Sequence, residues 1–245
     1  MQNKYPQKPG IDFILKQAFF YWNRTLIFQL IFSIVFFVVF FTSMFLFGSK
    51  YGIWEQSQEM GEALKLGTKA YLEKAAAVSA TENYQMFMIA IFGTTAFLYP
   101  LNIGFFQIFR KIDLNEKIEL ADLFVGYNGL NFFKYLGYFI FWLMIYRLTL
   151  PTIFLAVVWV IITLFVAPLM FFTDKRIFEA ISLNFKAVKL YFVEILVCVI
   201  VAVIFKYIGF ALFFIGGLFT FPFWNAMIYS LYKTIFSEKV KFNDV

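Results

Sequence analysis

Residues 26–48, LIFQLIFSIVFFVVFFTSMFLFG, contain no charged side chain. Nothing else constrains this chain as strongly: a bilayer's hydrocarbon core is ~30 Å thick and takes roughly 20 apolar residues per crossing helix. Five further runs meet the same requirement, and the spans are placed at about 26–48, 85–109, 132–149, 152–173, 190–207 and 210–235. The third and fourth come from one run, Phe132–Thr173, that is too long for a single crossing at ~1.5 Å per residue. Arg147 and Pro151 mark its tip, and Lys206, Tyr207 and Gly209 divide the fifth span from the sixth. Hydrophobic residues make up 62% of the 245, well above the share of a soluble domain. The first run is too long for the apolar region of a cleavable signal peptide, so it is expected to stay in place as a span.

The charges lie between these runs and give an orientation. Fifteen Lys and Arg fall on the side that holds both termini and six on the other, which places both termini in the cytoplasm. The net charge of +6 therefore needs no nucleic acid, and no basic stretch with exposed aromatics suits one.

Three charged segments on the cytoplasmic side have helical periodicity with unlike faces. In 11–24, Ile11, Leu15, Ala18 and Trp22 oppose Asp12, Lys16 and Asn23; in 118–128, Leu120, Leu123, Phe124 and Tyr127 oppose Glu119, Asp122 and Gly126. In 176–189, Ile177, Ile181, Phe185 and Val188 oppose Glu179, Ser182, Lys186 and Lys189. Such segments are expected to lie in the membrane interface with the apolar face down. Each precedes a hairpin of spans whose second helix carries a proline: Pro100, Pro168 and Pro222. The sequence thus reads as an all-α, six-span membrane domain over 1–245 with three interfacial helices. Three repeated units account for the spacing, and chance alternation accounts for it too.

A proline inside a span removes one backbone hydrogen bond, and neighbouring polar groups compensate. Asn102 and Asn225 follow Pro100 and Pro222 closely enough to reach freed carbonyls or another helix, or to line a path for a small ligand. Gln29, Ser33 and Gln107 raise the same question less sharply. Glu194 is the acid inside a span, near Lys189, where it is expected to pair or snorkel rather than couple an ion.

The chain has no His and one Cys, Cys198, which excludes His-based metal sites and triads and leaves no thiolate metal site. No cofactor or metal is expected. The carboxylates Asp113, Glu116, Glu119 and Asp122 sit beside Lys and Arg and read as a solvated charged face. The segment 49–84, on the outer side, reads from Met60 as a helix with Met60, Leu64, Gly67, Tyr71, Ala75 and Val78 on one stripe. That stripe is expected to cover the bundle or the outer leaflet, or to dock a partner protein through Met60, Leu64, Tyr71 and Val78.

The stretch FVAPLMFFTDKRIFEAISLNFKAVKLYFVEIL, with IGGLFTFPFWNAMIYSLYKTIF, PLNIGFFQIFRK and ELADLFVGYN, resembles a bacterial integral membrane superfamily related to the membrane domain of glycerophosphoryl diester phosphodiesterases. The likeness rests on Pro168, Asp174, the EAISLNFK helix, and a Gly-rich start to a last span with Pro222 and Tyr229. It implies a six-span bundle with interfacial helices in a bacterial inner membrane, and no catalytic residue. Some similar chains carry a carotene monooxygenase label, but propeller-type carotenoid-cleaving enzymes hold iron with four His, which this sequence lacks. The expected role is non-enzymatic: an accessory or scaffold subunit of a membrane assembly. The alternative is a small-molecule or lipid carrier in which Asn102, Asn225 and Glu194 face one cavity between proline-kinked spans.

Overall fold

The computed structural model describes residues 10–211 and 214–237, and all regular structure among them is helical. In chain order the helices are α1 (Ile11–Arg24), α2 (Leu26–Lys50), α3 (Ile53–Leu66), α4 (Thr68–Ser79), α5 (Glu82–Leu98) and α6 (Leu101–Asp113). A 3-10 helix follows (Leu120–Tyr127), then α7 (Leu130–Thr149), α8 (Ile153–Ile162), α9 (Val166–Phe172), α10 (Ile177–Leu190), α11 (Phe192–Ala211), α12 (Phe214–Thr220) and α13 (Phe223–Ser237). Four stretches are long and apolar enough to cross a bilayer: Leu26–Lys50, Glu82–Asp113, Ile153–Phe172 and Phe192–Ala211. That is the pattern of a multi-pass membrane protein. α7 has 20 residues but carries Lys134 and Arg147 and is not among the four, and neither is the α12–α13 stretch, which breaks at Pro222.

The outer faces of the helices require lipid. On α11, Phe192, Val193, Ile200, Val203, Ile204 and Ile208 are each at least 40% exposed. Burying a side chain of this size is worth about 1.5–3 kcal/mol, so these six at half exposure represent roughly 5–10 kcal/mol. A whole domain's stability is only ~5–15 kcal/mol. A chain folded in water would not leave that surface open on one helix.

The helices group into two compact units, Met1–Ser33 with Tyr99–Val245, and Ile34–Leu98. In the first, α1 packs on α13 and α11, α6 on the 3-10 helix, α13 and α9, and α10 on α8, α9 and α11. Its centre is aromatic, with Tyr21, Phe105, Phe109, Phe165 and Phe223 all fully buried. In the second, α3 and α4 pair as a helical hairpin tied by Lys74 to Glu59 at 2.6 Å. The continuous stripe expected from Met60 to Val78 is therefore not formed. Gly67, at φ +121°, takes a backbone conformation that side chains resist, and it ends α3 before α4 begins. Val78 is buried, Met60 and Tyr71 are half-buried, and Leu64 is left exposed with Leu66 and Leu72.

One other expectation changes. α11 runs straight through Lys206, Tyr207 and Gly209 to Ala211, so the division between the last two hydrophobic runs does not fall at those residues. Lys206 is accommodated within the helix because its ammonium sits 4.5 Å from the centre of the Phe221 ring. Gly209 serves close packing, since a Cβ there would lie 2.8 Å from the Gly216 carbonyl oxygen. The three amphipathic segments are helical, and their inward faces are defined. The segments 11–24, 118–128 and 176–189 coincide with α1, the 3-10 helix and α10, and each buries a mixed face of apolar, small and polar residues: Ile14, Ala18 and Tyr21; Asp122, Leu123 and Gly126; Ala180, Asn184, Ala187 and Val188. Phe13, Phe20, Leu120, Phe124, Phe178 and Phe185 stay exposed. Small residues win the inner positions because backbones approach there: a Cβ on Gly126 would fall 2.2 Å from the Pro100 oxygen, and one on Gly104 2.1 Å from the Leu123 oxygen.

Candidate functional site

Each proline expected to kink a span accompanies a break in the helix. Turns at Tyr99–Pro100 separate α5 from α6, turns at Thr163–Phe165 separate α8 from α9 just before Pro168, and turns at Phe221–Pro222 separate α12 from α13. Proline has no N–H for the carbonyl four residues earlier, and in an apolar medium that carbonyl must find another donor. Leu218, four residues before Pro222, receives the Ser33 hydroxyl at 2.6 Å, and the next carbonyl, Phe219, receives the Trp22 indole N–H at 2.8 Å. At the Pro168 break, Asn184 accepts the Phe165 N–H at 2.7 Å and donates to the Ile161 carbonyl at 3.0 Å. At Pro100, Asn102 donates to the Tyr99 carbonyl at 3.0 Å.

Asn225 then joins two of the breaks by donating to Asn102 Oδ1 at 3.0 Å, across 123 residues of chain. The pair lines a cavity of about 130 Å³ with Tyr99, Tyr138, Trp142 and Trp224. Pro168 is buried in α9, next to the cavity-lining Ala167. The walls are stiff: Trp142 donates to Thr163 Oγ1 at 2.8 Å, and the Thr163 hydroxyl donates to the Trp159 carbonyl at 2.6 Å. Glu194 does not join the two asparagines. It lies in the first turn of α11, forms no ion pair or hydrogen bond among the described residues, and Lys189, its expected partner, sits 4.6 Å from the Phe185 ring centre instead. An ion coupled through Glu194 at this cavity is thereby removed from the carrier reading.

Further along the same two helices lies a second recess of about 320 Å³, lined by Arg110, Asp113, Phe172, Tyr229, Tyr232 and Lys233. Asp113 stands eleven residues after Asn102 on α6, and Lys233 eight after Asn225 on α13, so the recesses are ~12–16 Å apart at 1.5 Å per residue. Aromatic rings divide them: Phe106, on the inner cavity, is 6.2 Å from Phe172, which is 5.7 Å from Tyr229. Asp113 is the hub of the outer recess. It accepts the Tyr21 and Tyr229 hydroxyls at 2.6 Å each and pairs with Lys233 at 2.7 Å, while Lys233 also donates to the Tyr21 oxygen at 3.0 Å. Burial, and after it the hydrogen bond and negative charge of Asp113, push the Tyr21 hydroxyl far above the ordinary tyrosine range, so it stays protonated as a donor.

Of the four carboxylates expected on a solvated face, Glu116 and Glu119 are exposed, while Asp113 and Asp122 are tied into the fold. Asp122 pairs with Lys111 at 2.7 Å and accepts the Glu119 N–H at 2.7 Å, capping the 3-10 helix. Asp174 takes the Lys134 ammonium, and this hydrogen bond, with the attraction of the charge, lowers its carboxyl below the usual range. Among the described residues no cluster of His, Cys, Asp and Glu gathers as a metal site would require.

No family model, curated protein or solved structure matches this chain. Its site is read from its own geometry. Asp113, Tyr21, Asn184, Tyr229 and Lys233 are the residues that sequence reasoning left out. A signal for three of them was present: Asp113 extends the Asn102 face of α6, and Tyr229 and Lys233 extend the Asn225 face of α13, at helical spacing.

Proposed function

We propose that this is a non-enzymatic, six-span bacterial inner-membrane protein that binds a small amphipathic molecule or lipid in the groove between α6 and α13. Both termini and the three amphipathic segments lie on the cytoplasmic side, with the exposed rings of Phe13, Phe20, Phe178 and Phe185 in the lipid interface. The observation that carries the reading is the Asn102–Asn225 hydrogen bond. Two span breaks far apart in sequence meet at one polar point in a cavity lined, apart from Thr163, by rings and aliphatic groups. A mostly apolar recess with a few convergent polar groups is the usual form of a ligand site. Kinship with the superfamily of phosphodiesterase-linked membrane domains fits this arrangement and is part of the proposal.

Native mass spectrometry of the purified chain tests it. A bound molecule should be retained by the wild type and lost when Asn102→Leu and Asn225→Leu together fill the cavity with apolar atoms. Equal retention by both proteins refutes the groove.

An accessory-subunit role is the second reading. The exposed Leu64, Leu66, Leu72 and Trp54 on the α3–α4 hairpin favour it, because polar loops outside a bilayer do not ordinarily show such side chains together. Purification in mild detergent discriminates: a co-purifying membrane protein supports this role, and a stable monomer recovered alone counts against it.

A further inference from the structure

Accepting the groove as a ligand site, we infer that its outer recess recognises a phosphate anion, with Arg110 as the principal contact and Lys233 as the second. The neighbouring cations are matched: Lys233 by Asp113, Lys111 by Asp122 and Lys134 by Asp174. Arg110 is not. It lines the recess, is exposed, and forms no hydrogen bond or ion pair among the described residues. The recess therefore holds one surplus positive charge, on a group whose planar fork of N–H donors matches the oxygens of a phosphate.

Asp113 does not spoil the site. Its Oδ1 takes Tyr21 and Lys233 and its Oδ2 takes Tyr229, so its negative charge is spread over three donors. The same network holds Lys233 in place beside Tyr229 at the recess wall, with N–H capacity beyond its bonds to Asp113 and the Tyr21 oxygen. Phe172, Tyr229 and Tyr232 supply apolar faces next to the charge, with the Phe172 and Tyr232 rings stacked at 5.1 Å. A volume of about 320 Å³ is at the small end of ligand pockets, large enough for a headgroup and too small for a whole lipid. The remainder of an amphiphile would run past Phe106 toward the Asn102–Asn225 cavity or out along the exposed apolar helix faces.

Two sources share this chemistry: the headgroup of an anionic phospholipid, and a soluble phosphate. The test uses the full chain in phosphatidylcholine nanodiscs, titrated in one arm with short-chain phosphatidylglycerol and in the other with inorganic phosphate, with bound ligand counted by native mass spectrometry. Saturable binding is expected, weakened about tenfold or more by Arg110→Gln and partly restored by Arg110→Lys. Lys186→Gln, which removes an exposed charge on α10 away from the recess, should leave it unchanged. Binding in the lipid arm alone assigns the lipid source, and binding of inorganic phosphate with the same dependence on Arg110 assigns the soluble one. The inference is overturned if neither probe binds, if Arg110→Gln binds like the wild type, or if Arg110→Gln and Lys186→Gln weaken binding equally, which is diffuse surface attraction. Arg110 holds no structural partner among the described residues, so an unchanged melting temperature of Arg110→Gln serves as the folding control. A ligand that depends on Asn102 and Asn225 but not on Arg110 would leave the groove standing and remove only this inference.

Discussion

Replacing Asp113 with Asn probes the joint between α1, α6 and α13. The carboxylate holds two tyrosine hydroxyls at 2.6 Å and Lys233 at 2.7 Å, with the aspartate side chain 22% and the lysine side chain 34% exposed. Removing one partner from a fully buried pair costs ~3–5 kcal/mol, and partial exposure brings this to about 2 kcal/mol. Hydrogen bonds to a charged acceptor are worth ~1.5–3 kcal/mol against ~0.5–1.5 for a neutral one, and the new amide accepts through one oxygen instead of two, which adds about 1 kcal/mol. The sum, about 3 kcal/mol, corresponds to a fall in Tm of roughly 6–12 °C for a chain of this size. Tryptophan fluorescence during heating in detergent follows it, with Trp22 on α1 reporting directly. Lys233→Met should rescue part of the loss, since it removes the stranded charge, giving a coupling of about 1 kcal/mol or more in a double-mutant cycle. A fall below about 2 °C, or fully additive effects of the two substitutions, would refute the account of this network.

Three further outcomes are expected. Asn184→Leu keeps the side chain's size but strands the Phe165 N–H and the Ile161 carbonyl, at ~1–3 kcal/mol for each orphaned group, so its Tm should drop more than that of Lys186→Gln on the same helix. Gly104→Ala should destabilise by at least ~2 kcal/mol in the same melt, because its Cβ meets backbone at 2.1 Å, while Gly137→Ala, with open space around it, should be neutral or better. Stability should be independent of Tyr21 up to about pH 10, where an unfolded tyrosine begins to ionise, and should fall above it, because the folded protein still holds the proton that the unfolded chain releases. Denaturation followed from pH 9 to 11 should therefore fall less steeply for Tyr21→Phe than for the wild type.

Much of the helical framework could be seen in the sequence, since lipid imposes length and composition on each crossing. The tip between α7 and α8 falls at residues 150–152, as Arg147 and Pro151 indicated. Faces were harder to see. Periodicity separates an apolar from a polar face but does not say which residues pack inward: on α10 Phe178 and Phe185 stay exposed, while Ala180, Asn184, Ala187 and Val188 take the buried positions. The outer recess was hidden for a related reason. Asp113 looks like a loop carboxylate beside Arg110 and Lys111, and its real partners, Tyr21 and Tyr229, lie 92 and 116 residues away. Asn102 and Asn225 stood out because each follows a proline, while Glu194 stood out only by its charge and makes no contact with them.

The groove itself can be tested in the native membrane with a photo-reactive benzophenone amino acid in place of Phe106, between the two recesses, and in place of Ile200 on the exposed face of α11. Mass spectrometry of the adducts should find one amphiphile enriched at position 106, while position 200 captures lipids in the proportions of the surrounding membrane. Adducts at 106 that are absent, or that match the bulk composition found at 200, would contradict a binding groove between α6 and α13.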